Sequence, residues 1–130
     1  MSENFNLEII GPENTVLKTE VKQVTIPSFE GLMSVLKDHI SLVTFLRPGL
    51  VEVRNDKGDE NFFVEDGTVE LNNNNLLILS STAKNIKELS KDDMDKMIKD
   101  SEEKIKDEKI IDKEKYVLYY KINTLKEIRQ

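Results

Sequence analysis

His39 is the single histidine of this 130-residue chain and the one side chain able to exchange a proton near neutral pH unaided. It could serve as an acid or base, but no nearby serine or carboxylate pattern specifies a triad around it. With one histidine and no cysteine, multi-histidine metal sites, thiolate metal sites, disulfides and cysteine nucleophiles are all excluded. The 25 acidic residues are scattered and never take a D-x-D-x-D-G spacing for calcium, and no glycine-rich phosphate loop occurs. The residue inventory therefore points away from an active site and from a bound cofactor or metal, and toward a protein that works through its surfaces. A net charge of -6 and a pI near 4.9 argue against nucleic acid, since binding phosphates needs a basic face that gains from counterion release.

Those surfaces must be built by short strands. Residues 4–10 alternate, with Phe5, Leu7 and Ile9 on one face and Asn6 and Glu8 on the other, as in a half-buried strand. Gly11-Pro12-Glu13-Asn14 closes it, and short strands follow at Thr15 to Lys18 and from Val21 to Pro27, where a missing N–H should end the ladder. Between Val24 and Val53, apolar runs are cut by Pro27, Gly31 and Pro48-Gly49, too closely for a helix. The clearest hairpin joins residues 50–54 to residues 60–65 through Asn55-Asp56-Lys57-Gly58-Asp59. Val69 and Leu71 lie in a short strand, residues 72–75 are four asparagines tolerant of left-handed backbone, and the continuous run LLILSS predicts a last strand buried on both faces. Nine or ten such strands, with no βαβ alternation, predict an antiparallel β-sandwich in which Phe63 and Leu79 are buried.

After Lys87 the composition changes: 23 of the 43 residues from Glu88 to Gln130 are charged, and glycine and proline vanish. Ser90-Lys91-Asp92-Asp93 predicts a helix start, followed by Met94, Met97, Ile98, Ser101 and Ile105 at helical spacing. A polar break leads to Asp112 as a second cap, and Leu118, Ile122 and Leu125, extended by Tyr119 and Ile128 or Arg129, mark a second apolar face. The expected plan is a sandwich over residues 1–87 and an antiparallel helical hairpin over residues 88–130. Both stripes are narrow, so docking of the hairpin on the sandwich should be marginal. The amino terminus lacks the basic and apolar regions of a signal peptide, and no run approaches the roughly 20 apolar residues of a membrane span. The chain is expected to stay in the compartment where it is made.

The pattern P-S-x-E-G-x-x-x-V-x-x-x-H-x-x-L-V-T-x-L-R-P-G-L-V, from Pro27 to Val51, resembles the epsilon subunits of F-type ATP synthases, called delta in mitochondria, and the likeness extends over nearly the whole chain. The resemblance implies a non-catalytic central-stalk subunit joining the gamma subunit to the rotor-ring c subunits. Contact with the alpha and beta catalytic-head subunits would be transient. The implied location is the cytoplasmic face of a bacterial inner membrane, with attachment through protein. It also implies a ring-facing set of Glu30, Gly31, Asp38, His39, Ile40, Ser41 and Leu42. Taken alone, the loop carrying Asp38 and His39 also fits a polar tip bonded to its own backbone.

Lys113, Lys115, Lys121, Lys126 and Arg129 read from composition as the solvated face of helix two. The resemblance implies that they meet acidic surface on the catalytic head when the hairpin extends, braking ATP hydrolysis. Two departures stand out: Leu32 where many family members carry a second glutamate, and Lys37-Asp38 where many carry proline-glycine. Some relatives hold ATP through an arginine-alanine pair early in helix one. Asp93-Met94 occupies the nearest position here, so weak or absent ATP binding is expected. The alternative from another class is a free-standing ligand-binding sandwich with an oligomerisation hairpin.

Overall fold

A computed structural model of the chain describes residues 3–130. Ten strands follow in order: β1 Phe5–Ile10, β2 Thr15–Val21, β3 Gln23–Ser28, β4 Gly31–Leu36, β5 Leu42–Leu46, β6 Gly49–Arg54, β7 Glu60–Val64, β8 Gly67–Asn72, β9 Asn75–Leu79 and the short β10 Lys84–Asn85. A 3-10 turn at Ile86–Glu88 leads to α1 Lys91–Ile105 and α2 Asp112–Arg129. The composition change at Lys87 thus falls inside the connecting turn.

The sheet order β10-β7-β6-β3-β5-β8-β9-β1-β2 folds back on itself at β3, with β4 paired to β3 alone. Gln23 to Thr25 pair with β6, whereas Ser28 pairs with Leu46 of β5, so one strand belongs to both layers. All pairings are antiparallel except β1 beside β9. Alternate residues of the two layers meet in one core that includes Leu7, Ile9, Ile26, Leu46, Val51, Val64, Leu76 and Ile78. Ser90 Oγ caps α1 by accepting from the Asp93 amide at 3.0 Å. The hairpin lies on the outer face of the β6–β7 layer, where Phe63 joins Met94, Ile98 and Leu125 in a second buried cluster. Among the described residues no helix is long and apolar enough to cross a membrane.

Four expectations need correction. Leu79 is 44 % exposed, and Leu77 is only half-buried, because β9 keeps strict alternation and buries Leu76 and Ile78 alone. The continuous apolar run reflects one core face and one outer face that is itself apolar. Strand β3 continues through Pro27 to Ser28, since Pro27 uses only its carbonyl, which accepts from the Arg47 amide at 2.9 Å. Asp112 is the first residue of α2, not its cap; Ile111 holds the cap position with no side-chain bond, and Asp112 acts only through its charge near the helix amino terminus. Tyr119 lies 55 % exposed, outside the buried stripe formed by Ile122 and Leu125. Phe63 is buried as expected, but beneath the hairpin and not within the sandwich.

Ile78→Ala should destabilise the chain by about 2–5 kcal/mol in chemical denaturation. Leu79→Ala should cost less than about 1 kcal/mol, as for partly exposed sites. The opposite order would mean that β9 presents the wrong face to the core.

Candidate functional site

Strand β4 pairs only with β3, leaving its other edge open among the described residues. Alternation sends Val35 into the core and Leu32, Ser34 and Leu36 outward, with Leu32 70 % and Leu36 53 % exposed. The Phe29-Glu30 turn stands at one end of this strand and the loop of residues 37–41 at the other. The ring-facing residues named from sequence therefore form two groups, about 17–20 Å apart for a strand of this length. Glu30 is exposed and Gly31 takes φ 125°, open to glycine. Ser28 Oγ donates to the Gly31 carbonyl at 2.6 Å and closes that turn. Leu32 and Leu36, which lie between the two groups on the same strand, fall outside the set named from sequence; their alternation with Met33 and Val35 is the signal that marks them.

In the second group Asp38 has φ 65°, the left-handed region. The His39 amide donates to the Leu36 carbonyl at 3.1 Å, and His39 Nδ1 lies 2.8 Å from the Ile40 carbonyl. A carbonyl can only accept, so Nδ1 carries the proton in this bond. Ile40 projects into solvent, Ser41 is exposed, and Leu42 packs against the sandwich core. The histidine thus shapes the loop.

A second surface lies on the outer face of β5, β8, β9 and β1. The register aligns Phe45, Thr68, Leu79 and Ile10 in one cross-strand row and Val43, Glu70 and Leu77 in the next. Val43 is 72 % and Phe45 60 % exposed. Beside them a groove of about 880 Å³ is lined by Ile10, Pro12, Phe29, Phe45, Leu79 and Lys113, among others. Exposed Val43, Phe45 and Leu79 thus share one face with the polar residues Thr68 and Glu70, a concentration of exposed apolar side chains of the kind found at contact sites. Gly67 borders it: at φ 153° its backbone approaches the Leu79 carbonyl so closely that a Cβ would stand 2.6 Å away.

The third region is the hairpin's seat. Arg47 Nη1 donates to the Tyr116 hydroxyl at 3.3 Å, its guanidinium lies 3.9 Å from the Tyr120 ring centroid, and Tyr116 OH donates to the Phe29 carbonyl. The Phe29 and Tyr116 rings stack at 5.7 Å. Arg47 Nε is buried without a hydrogen-bond partner, a cost that partly offsets the cation–π gain. Of the basic residues named on α2, Lys121 Nζ reaches Glu65 of the sandwich at 2.6 Å, Lys126 pairs with Glu102 of α1 at 3.4 Å, and Arg129 pairs with Asp95 of α1. The Lys121 pair is the most sheltered from screening, at 19 % and 32 % side-chain exposure. Lys113 and Lys115 are exposed, Lys113 at the groove. Asp93 and Met94 sit in the first turns of α1, Met94 buried against the sandwich. Among the described residues no three His, Asp or Glu side chains are placed to hold a metal.

The geometry thus presents an open strand edge, an outer sheet face with exposed apolar residues, and a second face covered by the helical hairpin. The family model for the ATP synthase delta/epsilon chain β-sandwich domain matches residues 4–86. The ATP synthase epsilon chain of Pelagibacter ubique is 45 % identical over 127 residues, covering 97 % of this chain and 98 % of that one. The Rhizobium etli epsilon chain is 32 % identical, covering 82 % of this chain and 80 % of its own length. A chain in the structure of the Euglena gracilis mitochondrial ATP synthase, described as OSCP/F1/c-ring, superposes with a TM-score of 0.83 at 20 % identity, over all of this chain and 84 % of its own. One from the Tetrahymena thermophila central stalk and c-ring gives 0.64 at 12 %, covering 96 % of each. Both share the sandwich-plus-hairpin fold. The match over nearly the full length of a bacterial relative, together with the sandwich model, places this chain in the ATP synthase epsilon chain family.

Proposed function

We propose that this chain is a non-catalytic rotor subunit of an F-type ATP synthase that couples the gamma shaft to the membrane ring of c subunits, and that its hairpin regulates ATP hydrolysis. It works on the cytoplasmic side of a bacterial inner membrane, attached through protein. The observation that carries this reading is the asymmetry of the sandwich. One outer face is closed by the hairpin through Phe63, while the other leaves Val43, Phe45 and Leu79 uncovered. The uncovered face is assigned to gamma, and the open edge with Leu32, Leu36 and Ile40, flanked by Glu30-Gly31 and Asp38 to Leu42, to the ring. A close-packed body suits torque transfer because its interior resists deformation.

The hairpin's proposed role follows from the pairing of its basic residues. Lys121, Lys126 and Arg129 cannot hold Glu65, Glu102 and Asp95 and at the same time meet acidic surface on the alpha and beta subunits. Docked and extended states therefore compete for the same cations, and the equilibrium between them is the switch.

Two experiments test this. Phe45→Glu should lower the affinity for purified gamma by at least about tenfold, as expected for a central apolar anchor, with the circular dichroism of the chain unchanged. Affinity as strong as wild type would remove gamma from that face. In membranes reconstituted with the variants, Glu65→Gln should deepen inhibition of ATP hydrolysis, since it loosens docking and leaves the basic face intact. Replacing Lys121, Lys126 and Arg129 by glutamine, or ending the chain after Lys87, should relieve inhibition. Hydrolysis rates that do not respond to the truncation would show that the hairpin is no brake.

A further inference from the structure

We propose that Asn74, on the β8–β9 turn, is a positioning residue for the β4–β5 loop: it holds Asp38 in its left-handed conformation and so sets where His39 and Ile40 stand. The functional half of this inference rests on the reading of that loop as a ring contact. Asp38 lies 36 positions from Asn74 in sequence, yet the two form a reciprocal pair. The Asp38 amide donates to Asn74 Oδ1 at 2.7 Å, and Asn74 Nδ2 donates to Asp38 Oδ1 at 3.0 Å. At φ 65° a residue with a side chain bears a loss that glycine avoids, the close approach of its Cβ to the following carbonyl oxygen. The two bonds offset that loss by satisfying both the strained residue's amide and its carboxylate.

The partner must carry an acceptor and a donor on one short side chain, which asparagine does. Aspartate at position 74 would set two carboxylates against each other. The clamp is itself anchored. Asn73 and Asn74 take φ 50° and 62° in the turn, the Asn6 amide donates to the Asn74 carbonyl at 2.9 Å, and Asn6 Nδ2 donates to Asn75 Oδ1 at 2.9 Å. The loop's apex is thereby tied to β1 and to the β8–β9 turn. Beyond Asp38, the chain closes through His39 N–H to Leu36 O and presents Ile40 at 79 % exposure. A shift at Asp38 is carried directly to the residues that would touch the ring.

The test is a double-mutant cycle in the full chain with Asn74→Gly, Asp38→Gly and both. Glycine at position 74 keeps the left-handed turn and removes only the side chain, and glycine at position 38 adopts φ 65° unaided. His39, the one histidine, gives a single set of imidazole NMR signals that reports the loop. In the assembled synthase, protons pumped per ATP hydrolysed report ring engagement. Asn74→Gly alone is expected to shift and broaden the His39 signals and to lower coupled pumping roughly threefold or more. In the Asp38→Gly background it should change both by less than roughly twofold, a non-additivity in the range of side chains that share hydrogen bonds. Unchanged His39 signals in Asn74→Gly, or equal effects in both backgrounds, would overturn the positioning role. His39 signals that follow the cycle while pumping stays constant in all four proteins would overturn the ring-contact reading, and with it the functional half of this proposal.

Discussion

The whole body depends on β3 serving two sheets. Its first half pairs with β6 and its last residue with β5, so the chain turns from one layer to the other within six residues. That corner requires close backbone approach. A Cβ at Gly49 would lie 2.6 Å from Pro27 Cβ, so glycine is needed where the second layer begins. Because Pro27 offers no N–H, its carbonyl alone binds Arg47, and the arginine that follows the corner is delivered to the hairpin's seat. Sheet closure, core formation and the latch on α2 share this one set of residues.

From that corner the two outer faces acquire different fates. The β6–β7 face carries Phe63 and Leu50 and is covered by Met94, Ile98 and Leu125 of the hairpin. Burial of each large side chain contributes about 1.5–3 kcal/mol, and in this cluster that burial is shared between helix residues and the sandwich residues Phe63 and Leu50. The polar and ring contacts between hairpin and sandwich include the Arg47–Tyr116 and Tyr116–Phe29 hydrogen bonds, the Phe29–Tyr116 stack, the Arg47–Tyr120 contact and the Lys121–Glu65 pair. Within the hairpin the two helices are tied to each other by the Lys126–Glu102 and Arg129–Asp95 pairs.

The strands, turns and helices were legible because their signals are local. Alternation in β1, the Asn55 to Asp59 hairpin, the left-handed asparagines and the Ser90 cap each depend on neighbouring residues. The orientation of β9 was not legible, since Leu77 and Leu79 are as apolar as Leu76 and Ile78, and only pairing with β1 and β8 decides which pair faces inward. The same ambiguity hid the apolar outer face. The candidate site was legible as a stretch, but its division between the two ends of β4, the Arg47–Tyr116 contact 69 positions apart and the Asp38–Asn74 pair arise from topology. No periodicity encodes such contacts.

In the proposed assembly the uncovered face of β5, β8 and β9 is the one turned toward the shaft. Because the chain contains no cysteine, single cysteines at Val43, Thr68 and Glu70 can each be labelled alone, with one at Asp59 on the β6–β7 loop as a control. Comparing thiol labelling rates in the isolated chain and in the assembled synthase is the most direct measurement. Rapid labelling is expected at all four positions in the isolated chain and, on assembly, strong protection at the first three with little at Asp59. Equal labelling of Val43, Thr68 and Glu70 in both states would contradict this orientation.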